Sequence, residues 1–149
     1  MGTKSYGILS LTASVALGVV IGVAAATLFA PHAASIIWVT VGPLPDQLSL
    51  NPVGMDKADA VHWELNPNTK LLFIETEQKI FANSVYQQDT LRYRVACTGF
   101  VCDSGPVISV PPPAPTPPPG GYKYWQGMAD PSTPTAKVWA KNGRIIIRW

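Results

Sequence analysis

The longest apolar stretch of the chain, Tyr6–Ala30, contains no charged residue, and a run of this length predicts a transmembrane helix. At about 1.5 Å per residue the helix is about 37 Å long, enough to cross a bilayer with some tilt. Small residues let a second helix approach closely in lipid, so small residues at a strict four-residue spacing predict packing against partner helices. The six that follow this spacing are Ser10, Ser14, Gly18, Gly22, Ala26 and Ala30.

Positive charge beside the apolar run predicts the orientation of the helix. Lys4 precedes the run, and the first Lys or Arg after it is Lys57. The positive-inside rule then places residues 1–5 in the cytoplasm and everything after the helix outside it. A signal peptide cleaved near Ala24–Ala26 is the alternative, but the apolar run continues past that point. We therefore expect a single-pass protein of the inner (cytoplasmic) membrane whose C-terminal part is periplasmic or extracellular.

Shorter segments after the helix have the pattern of β-strands. Residues 31–54 predict an extended or interfacial connector, in which the apolar, β-branched Ala33–Val41 is either a strand or an interfacial segment. Residues 55–110 predict a small β-rich module. Within it, Val61–Leu65 and Lys70–Glu75 flank the turn sequence Asn-Pro-Asn and predict a hairpin. The module is small enough that we expect it to lean on a partner or on the membrane surface for part of its stability.

Alternating residues continue through the second half of this module. Val85–Ala96 predicts one strand, in which the alternation of Leu91–Val95 indicates that one face is wet. Residues 76–83 are compatible with a short helix, and residues 107–110 predict a last short strand.

A proline-rich segment follows the module. Residues 111–119 contain seven prolines, and Gly120 and Gly121 follow them. Proline favours the polyproline II helix, so residues 111–121 predict a stiff spacer of about 28 Å that ends in a glycine hinge. The alternative is a docking motif for an aromatic-lined groove.

Residues 122–149 have the composition of a basic, aromatic arm. They hold five Lys or Arg and one Asp, a net charge of +4, whereas residues 46–110 have a net charge of −3. Asn142-Gly143 between two β-prone runs predicts the turn of a terminal hairpin. We expect the arm to dock on another subunit or to return to its own module. The side chains expected to bind a partner are Tyr122, Tyr124, Trp125, Trp139, Ile145, Ile147 and Trp149.

The two cysteines, Cys97 and Cys102, favour a local disulfide in an oxidising compartment. Metal binding needs more ligands, and the two histidines, His32 and His62, lie far from the cysteines in the sequence, so no metal is expected. No haem-attachment or dinucleotide-binding motif is present, and no cofactor is expected.

Catalytic motifs are also missing from the sequence, so an enzyme is not expected. There is no GxSxG, P-loop or HExxH pattern. His62 is interpreted as a half-buried strand residue, and Glu75 and Glu77 as part of a solvated face. The arm mixes basic and aromatic residues, but on the extracytoplasmic side it is expected to meet acidic protein or lipid headgroups rather than nucleic acid.

These observations predict a single N-terminal transmembrane helix, a small β-rich extracytoplasmic module, a polyproline spacer and a C-terminal β-hairpin arm. The expected function is that of a non-catalytic accessory subunit of a larger, hetero-oligomeric membrane complex, in contact with other integral membrane subunits and with lipid. A respiratory or photosynthetic complex is one such host. The alternative is an envelope adaptor, similar to secretion-system proteins, that reaches a partner with the proline-rich spacer.

Overall fold

The structure is a computed structural model that describes residues 33–108 and 119–148. In this part of the chain every regular element is a β-strand. The nine strands are β1 (Ile36–Val41), β2 (Val53–Asp56), β3 (Ala60–Leu65), β4 (Leu71–Thr76), β5 (Ser84–Gln87), β6 (Arg92–Thr98), β7 (Val101–Pro106), β8 (Tyr122–Ala129) and β9 (Val138–Arg148). The expectation of a β-rich domain is therefore confirmed for these residues.

The predicted helix over residues 6–30 lies outside the described residues. Within the two described ranges, no helix is long and apolar enough to span a membrane.

The strands form one nearly closed sheet in the order β1-β3-β7-β6-β4-β8-β9-β2, and β5 pairs with β6 beside this path. Strand β6 pairs with β4 and β5 through its first residues and with β7 through its last three. Two pairs are parallel, β1 with β3 and β2 with β9, and the others are antiparallel. Of the two strands at the ends of the sheet, β1 lies within the predicted connector 31–54, and β2 begins in it and ends in the predicted module.

A buried carboxylate joins the two ends of the sheet. Asp59 is 3% exposed. Its Oδ1 accepts hydrogen bonds from the backbone N–H of Ser35 at 3.0 Å and from the Ser35 hydroxyl at 2.8 Å. Its Oδ2 accepts from the N–H of Asp56 at 2.8 Å. Because Ser35 precedes β1 and Asp56 ends β2, one side chain holds both terminal strands.

The interior is filled by large side chains from all parts of the sheet. Trp63 is fully buried, and its ring contacts those of Phe81 and Tyr124 edge-on, with centroids 5.9 Å and 5.4 Å away. Buried aliphatic residues surround these rings, and burial of each contributes about 1.5–3 kcal/mol. They include Val39, Val41, Val53, Val61, Leu65, Leu72, Ile74, Ile145 and Ile147.

The predicted strands exist, but several of the predicted connections are wrong. Strands β3 and β4 do not form a hairpin with each other, because β3 pairs with β1 and β7 while β4 pairs with β6 and β8. The single strand expected over 85–96 is the β5–β6 hairpin, whose turn includes Leu91 with φ of 55°. No helix occurs over 76–83, where Phe81 is buried and forms a bridge with Val107.

The C-terminal arm is part of the same sheet. Strand β8 lies between β4 and β9, and β9 also pairs with β2. Residues Ala34–Trp149 form one compact unit, so the module at 55–110 and the arm at 122–149 are not separate domains. Of the two expectations for the arm, return to its own module is the one found.

The arm is a hairpin whose turn is not at Asn142-Gly143. These two residues lie inside β9, and the connection between β8 and β9 is formed by residues 130–137. The pairing shifts register here: Tyr124 pairs with Gly143 and Gln126 with Ala140, so Lys141 and Asn142 lie together in a bulge opposite Trp125. Gly143 is required there for space, because a Cβ at this position would overlap the ring of Tyr124.

The proline-rich segment joins two strands of one domain. Most of residues 111–121 lie outside the described residues, but β7 before the segment and β8 after it belong to the same sheet. The segment is therefore a connection within the domain rather than a spacer to a separate arm.

Candidate functional site

The outer surface of strands β6, β4, β8 and β9 carries an unusual set of cations and aromatic rings. Side chains alternate between the two faces of a strand, so residues two apart share the outer face. Three rings and four cations meet on this face, which we call the cation–aromatic face. Its members are Phe73, Arg92, Arg94, Trp125, Lys137, Trp139 and Lys141.

One row of this face runs across β4, β8 and β9. Phe73 pairs with Gly127, and Gly127 pairs with Trp139. The glycine has no side chain, so the Trp139 ring lies across its backbone; an added Cβ would stand 2.7 Å from ring carbons. The ring thereby approaches Phe73, with centroids 6.4 Å apart. One face of the half-buried Trp139 ring thus rests on the sheet.

The neighbouring row contains a buried carboxylate. Glu75 pairs with Arg94 on one side and with Trp125 on the other, and it is completely buried. Its Oε1 accepts hydrogen bonds from Nε and Nη2 of Arg94 at 2.8 Å and 2.7 Å. Its Oε2 has no hydrogen-bond donor; the nearest cation is Nη1 of Arg92, 3.7 Å away. The sequence predicts that Glu75 is part of a solvated face, and this is wrong. Glu75 is the buried counter-ion of two arginines.

Two cations stack on the ring of Trp125. The guanidinium carbon of Arg92 lies 3.7 Å from the ring centroid, and Nζ of Lys141 lies 4.2 Å from it. A cation within about 6 Å of an aromatic face is attracted by the ring quadrupole, by about 0.5–2 kcal/mol depending on desolvation. Lys141 also forms an exposed ion pair with Glu77 at 3.0 Å. These contacts cover Trp125, which is 8% exposed.

Phe73 receives two more cations. The guanidinium carbon of Arg94 lies 5.3 Å from the ring centroid, and Nζ of Lys137 lies 4.8 Å from it. The Arg94 position is fixed twice, by the ring and by Glu75. The face therefore presents positive charges at positions set by rings and by a buried carboxylate, which suits the binding of an anionic group.

The opposite surface carries a smaller cluster on β1, β3 and β7. His62 pairs with Trp38 on one side and with Asp103 on the other. Its Nε2 lies 3.1 Å from Oδ1 of Asp103, and its ring lies edge-on to Trp38 with centroids 4.9 Å apart. His62 is half-buried, and Trp38 is 55% exposed.

Neither surface shows a metal centre. Among the described residues, no three His, Cys, Asp or Glu side chains are grouped in a way that would hold a metal ion.

The structure divides the predicted partner-binding residues between the core and the surface. Four of them, Tyr122, Tyr124, Ile145 and Ile147, are buried in the core and therefore cannot offer their side chains to a partner. Trp125 and Trp139 belong to the cation–aromatic face. Trp149 and the six small residues of the predicted helix lie outside the described residues.

The two cysteines are brought together at the end of a hairpin. Cys97 of β6 and Cys102 of β7 are direct partners in the sheet and are joined by a disulfide. Gly99, with φ of 61°, lies in the turn between them.

Sequence reasoning missed the cations of the face and the role of Glu75. The alternation in Leu91–Val95 was the available signal, because it places Arg92 and Arg94 on one side of a strand. The partners of these arginines come from β4, β8 and β9, up to 47 positions away in the chain, so no local pattern links them.

Comparison with models of known protein families finds no match, and comparison with curated proteins finds none either.

Proposed function

We propose that this chain is a non-catalytic accessory subunit of a larger membrane complex. Residues 6–30 anchor it, with residues 1–5 in the cytoplasm, and the β domain lies outside the cytoplasm and contacts a neighbouring subunit. The cation–aromatic face is the contact surface. The observation that carries the proposal is the set of five cation–ring contacts on one side of the sheet.

Aromatic residues and arginine are the types most enriched at protein interfaces, and they carry much of the binding energy there. The face concentrates both on rigid strands rather than on loops. Its arginines are held by Glu75 and Trp125, so they lose little conformational freedom when a partner binds.

The anchor contributes a second contact in this proposal. The small residues from Ser10 to Ala30 form a groove against which helices of the host complex pack. Leucine at Gly18 or Gly22 would fill the groove while leaving the helix apolar. These variants should insert into the membrane but co-purify less with the complex.

The alternative, an adaptor that reaches across a gap, receives less support. It needs a free arm beyond the proline-rich spacer, whereas β8 and β9 are internal strands of the domain's own sheet. A shortened 111–119 segment tests it, because the adaptor requires reach and the accessory subunit does not.

The experiment is extraction of the tagged full chain from native membranes with a mild detergent, followed by a native gel and mass spectrometry. Wild type should run in stoichiometric amounts with a large complex. Trp139→Ala together with Arg92→Gln should lower the amount of complex recovered while the chain stays in the membrane.

Trp38→Ala is the matched control, because it removes an exposed tryptophan from the opposite surface. It should leave recovery unchanged. Recovery of the chain alone or as a small homo-oligomer would contradict the subunit proposal. Loss of complex with Trp38→Ala but not with the face variants would contradict the assignment of the contact surface.

A further inference from the structure

We infer that the cation–aromatic face binds an acidic, aromatic-containing segment of a protein partner, with partner carboxylates held by Arg92 and Lys137. This inference rests on the proposed function and specifies the chemistry of the partner at that same face.

Arg92 is the principal anion-binding group. Its guanidinium stacks on Trp125 at 3.7 Å, and its closest carboxylate oxygen, Glu75 Oε2, is at 3.7 Å, beyond hydrogen-bond distance. The five N–H donors of a guanidinium lie in its own plane, at its edge. Such a fixed fork matches the two oxygens of a carboxylate.

Glu75 is a positioning residue for this group. It fixes Arg94 through two hydrogen bonds to one oxygen, and its other oxygen attracts Arg92 without a hydrogen bond. Glu75 is completely buried, so it holds the arginines from beneath and does not itself face a ligand.

Trp139 and Lys137 supply the second half of the site. The Trp139 ring packs against Gly127 and is half-buried, and its exposed part is available to an aromatic side chain of the partner. Lys137 stacks on Phe73 beside it, and the described residues include no carboxylate paired with Lys137.

The charge of the face, four cations against three carboxylates, is positive by one and favours an acidic segment. Four cations belong to the face, and the carboxylates next to them are the buried Glu75 and two exposed groups, Glu77 and Asp89. The Lys141–Glu77 pair is exposed, and such pairs contribute little, so Lys141 can exchange its partner at small cost. The four strands span about 14 Å, which is the length of about four extended residues.

The test uses the full chain in detergent micelles and two fluorescent ten-residue peptides, one of alternating Glu and Tyr and one of alternating Gln and Tyr. Fluorescence anisotropy should show the Glu peptide binding about tenfold more tightly, since a charge-assisted hydrogen bond is worth roughly this factor. Raising the salt from 0.1 M to 1 M should weaken it, because the screening length falls from about 10 Å to about 3 Å.

Arg92→Gln should remove most of the preference for Glu. Arg148→Gln is the matched control, because Arg148 is an exposed arginine on β9 that pairs with Asp56 and contacts none of the rings of the face. Glu75→Gln should weaken binding of the Glu peptide, and thermal melts of each variant establish that it is folded. The salt series uses only the wild-type protein, so it still tests the inference if a variant fails to fold.

Equal binding of the two peptides, or equal losses with Arg92→Gln and Arg148→Gln, would overturn the inference. Binding to vesicles of anionic phospholipid without binding to the Glu peptide would overturn it too, in favour of a lipid surface. The co-purification experiment is independent of the peptide experiment. If the face variants lose the complex but the wild-type chain binds both peptides equally, the inference fails and the proposed function stands.

Discussion

The ring of Trp139 lies across the backbone of Gly127, so close that a Cβ on residue 127 would stand 2.7 Å from two ring carbons. The two residues are direct partners in β9 and β8. A glycine inside a strand usually weakens it, but here it lets a neighbouring ring approach the backbone and reach Phe73. The cation–aromatic face therefore depends on a residue that contributes no side chain to it.

Gly127→Ala should tilt the Trp139 ring off the sheet. We expect a loss of about 1–3 kcal/mol in the free energy of unfolding, typical of overpacking, together with a changed tryptophan emission spectrum. Chemical denaturation followed by fluorescence measures both. Gly54→Ala is the matched control, since an added Cβ there meets nothing within 4 Å. An unchanged stability for Gly127→Ala would mean that the ring position is not fixed by the glycine.

Local patterns predict strands in this chain better than they predict partners. Val61–Leu65 and Lys70–Glu75 are recognisable because alternation is a local property, and β3 and β4 occupy nearly these positions. Their pairing is not local: β4 pairs with β8, about 50 positions later. The Asn-Pro-Asn turn therefore predicts a change of direction but not which strand lies alongside.

Asn142-Gly143 shows why a strong turn signal fails here. The pair suits a two-residue hairpin because both positions tolerate positive φ. In the structure, Gly143 is needed because the ring of Tyr124 and the amide of Gln126 occupy the place of a side chain. The same glycine is thus explained by distant packing, which only the folded sheet shows.

Gly143→Ala should be more damaging than Gly127→Ala, because its Cβ would overlap the buried Tyr124 ring and the buried Gln126 rather than a half-exposed ring. We expect a loss above about 3 kcal/mol, the upper end for overpacking. Urea denaturation of the full chain in detergent, next to the Gly54→Ala control, measures it. A loss below that of Gly127→Ala would argue that the bulge in β9 can shift to make room.

The candidate site was predictable only in part. Trp125 and Trp139 are visible as aromatic residues in a basic segment, and the alternation around Arg92 indicates an outer face. The sequence does not reveal that Arg92 stacks on Trp125, or that Glu75 is buried between Arg94 and Trp125. These contacts arise because β6, β4 and β8 are neighbours in the sheet, and that order is set by the whole core.

Glu75→Gln should destabilise the domain through its arginines. The substitution keeps one oxygen acceptor but removes the charge that compensates Arg94 and attracts Arg92. Breaking a buried pair typically costs about 3–5 kcal/mol, and because the arginines are partly exposed we expect about 3 kcal/mol. Glu77→Gln, in the exposed pair with Lys141, should cost less than about 1 kcal/mol. Equal losses for the two variants would show that Glu75 acts by side-chain volume rather than by charge.

The buried tyrosine Tyr124 predicts how stability depends on alkaline pH. Burial raises its pKa above the ordinary value of 10.0. Above about pH 10 the unfolded chain loses the phenol proton while the folded domain keeps it, so stability falls as pH rises, by at most about 1.4 kcal/mol per pH unit for one proton. Tyr124→Phe should flatten this fall between about pH 9 and pH 11 in denaturation series. Tyr86→Phe, which alters an exposed tyrosine, should keep the wild-type slope. An identical slope in all three proteins would contradict the assignment of the alkaline transition to Tyr124.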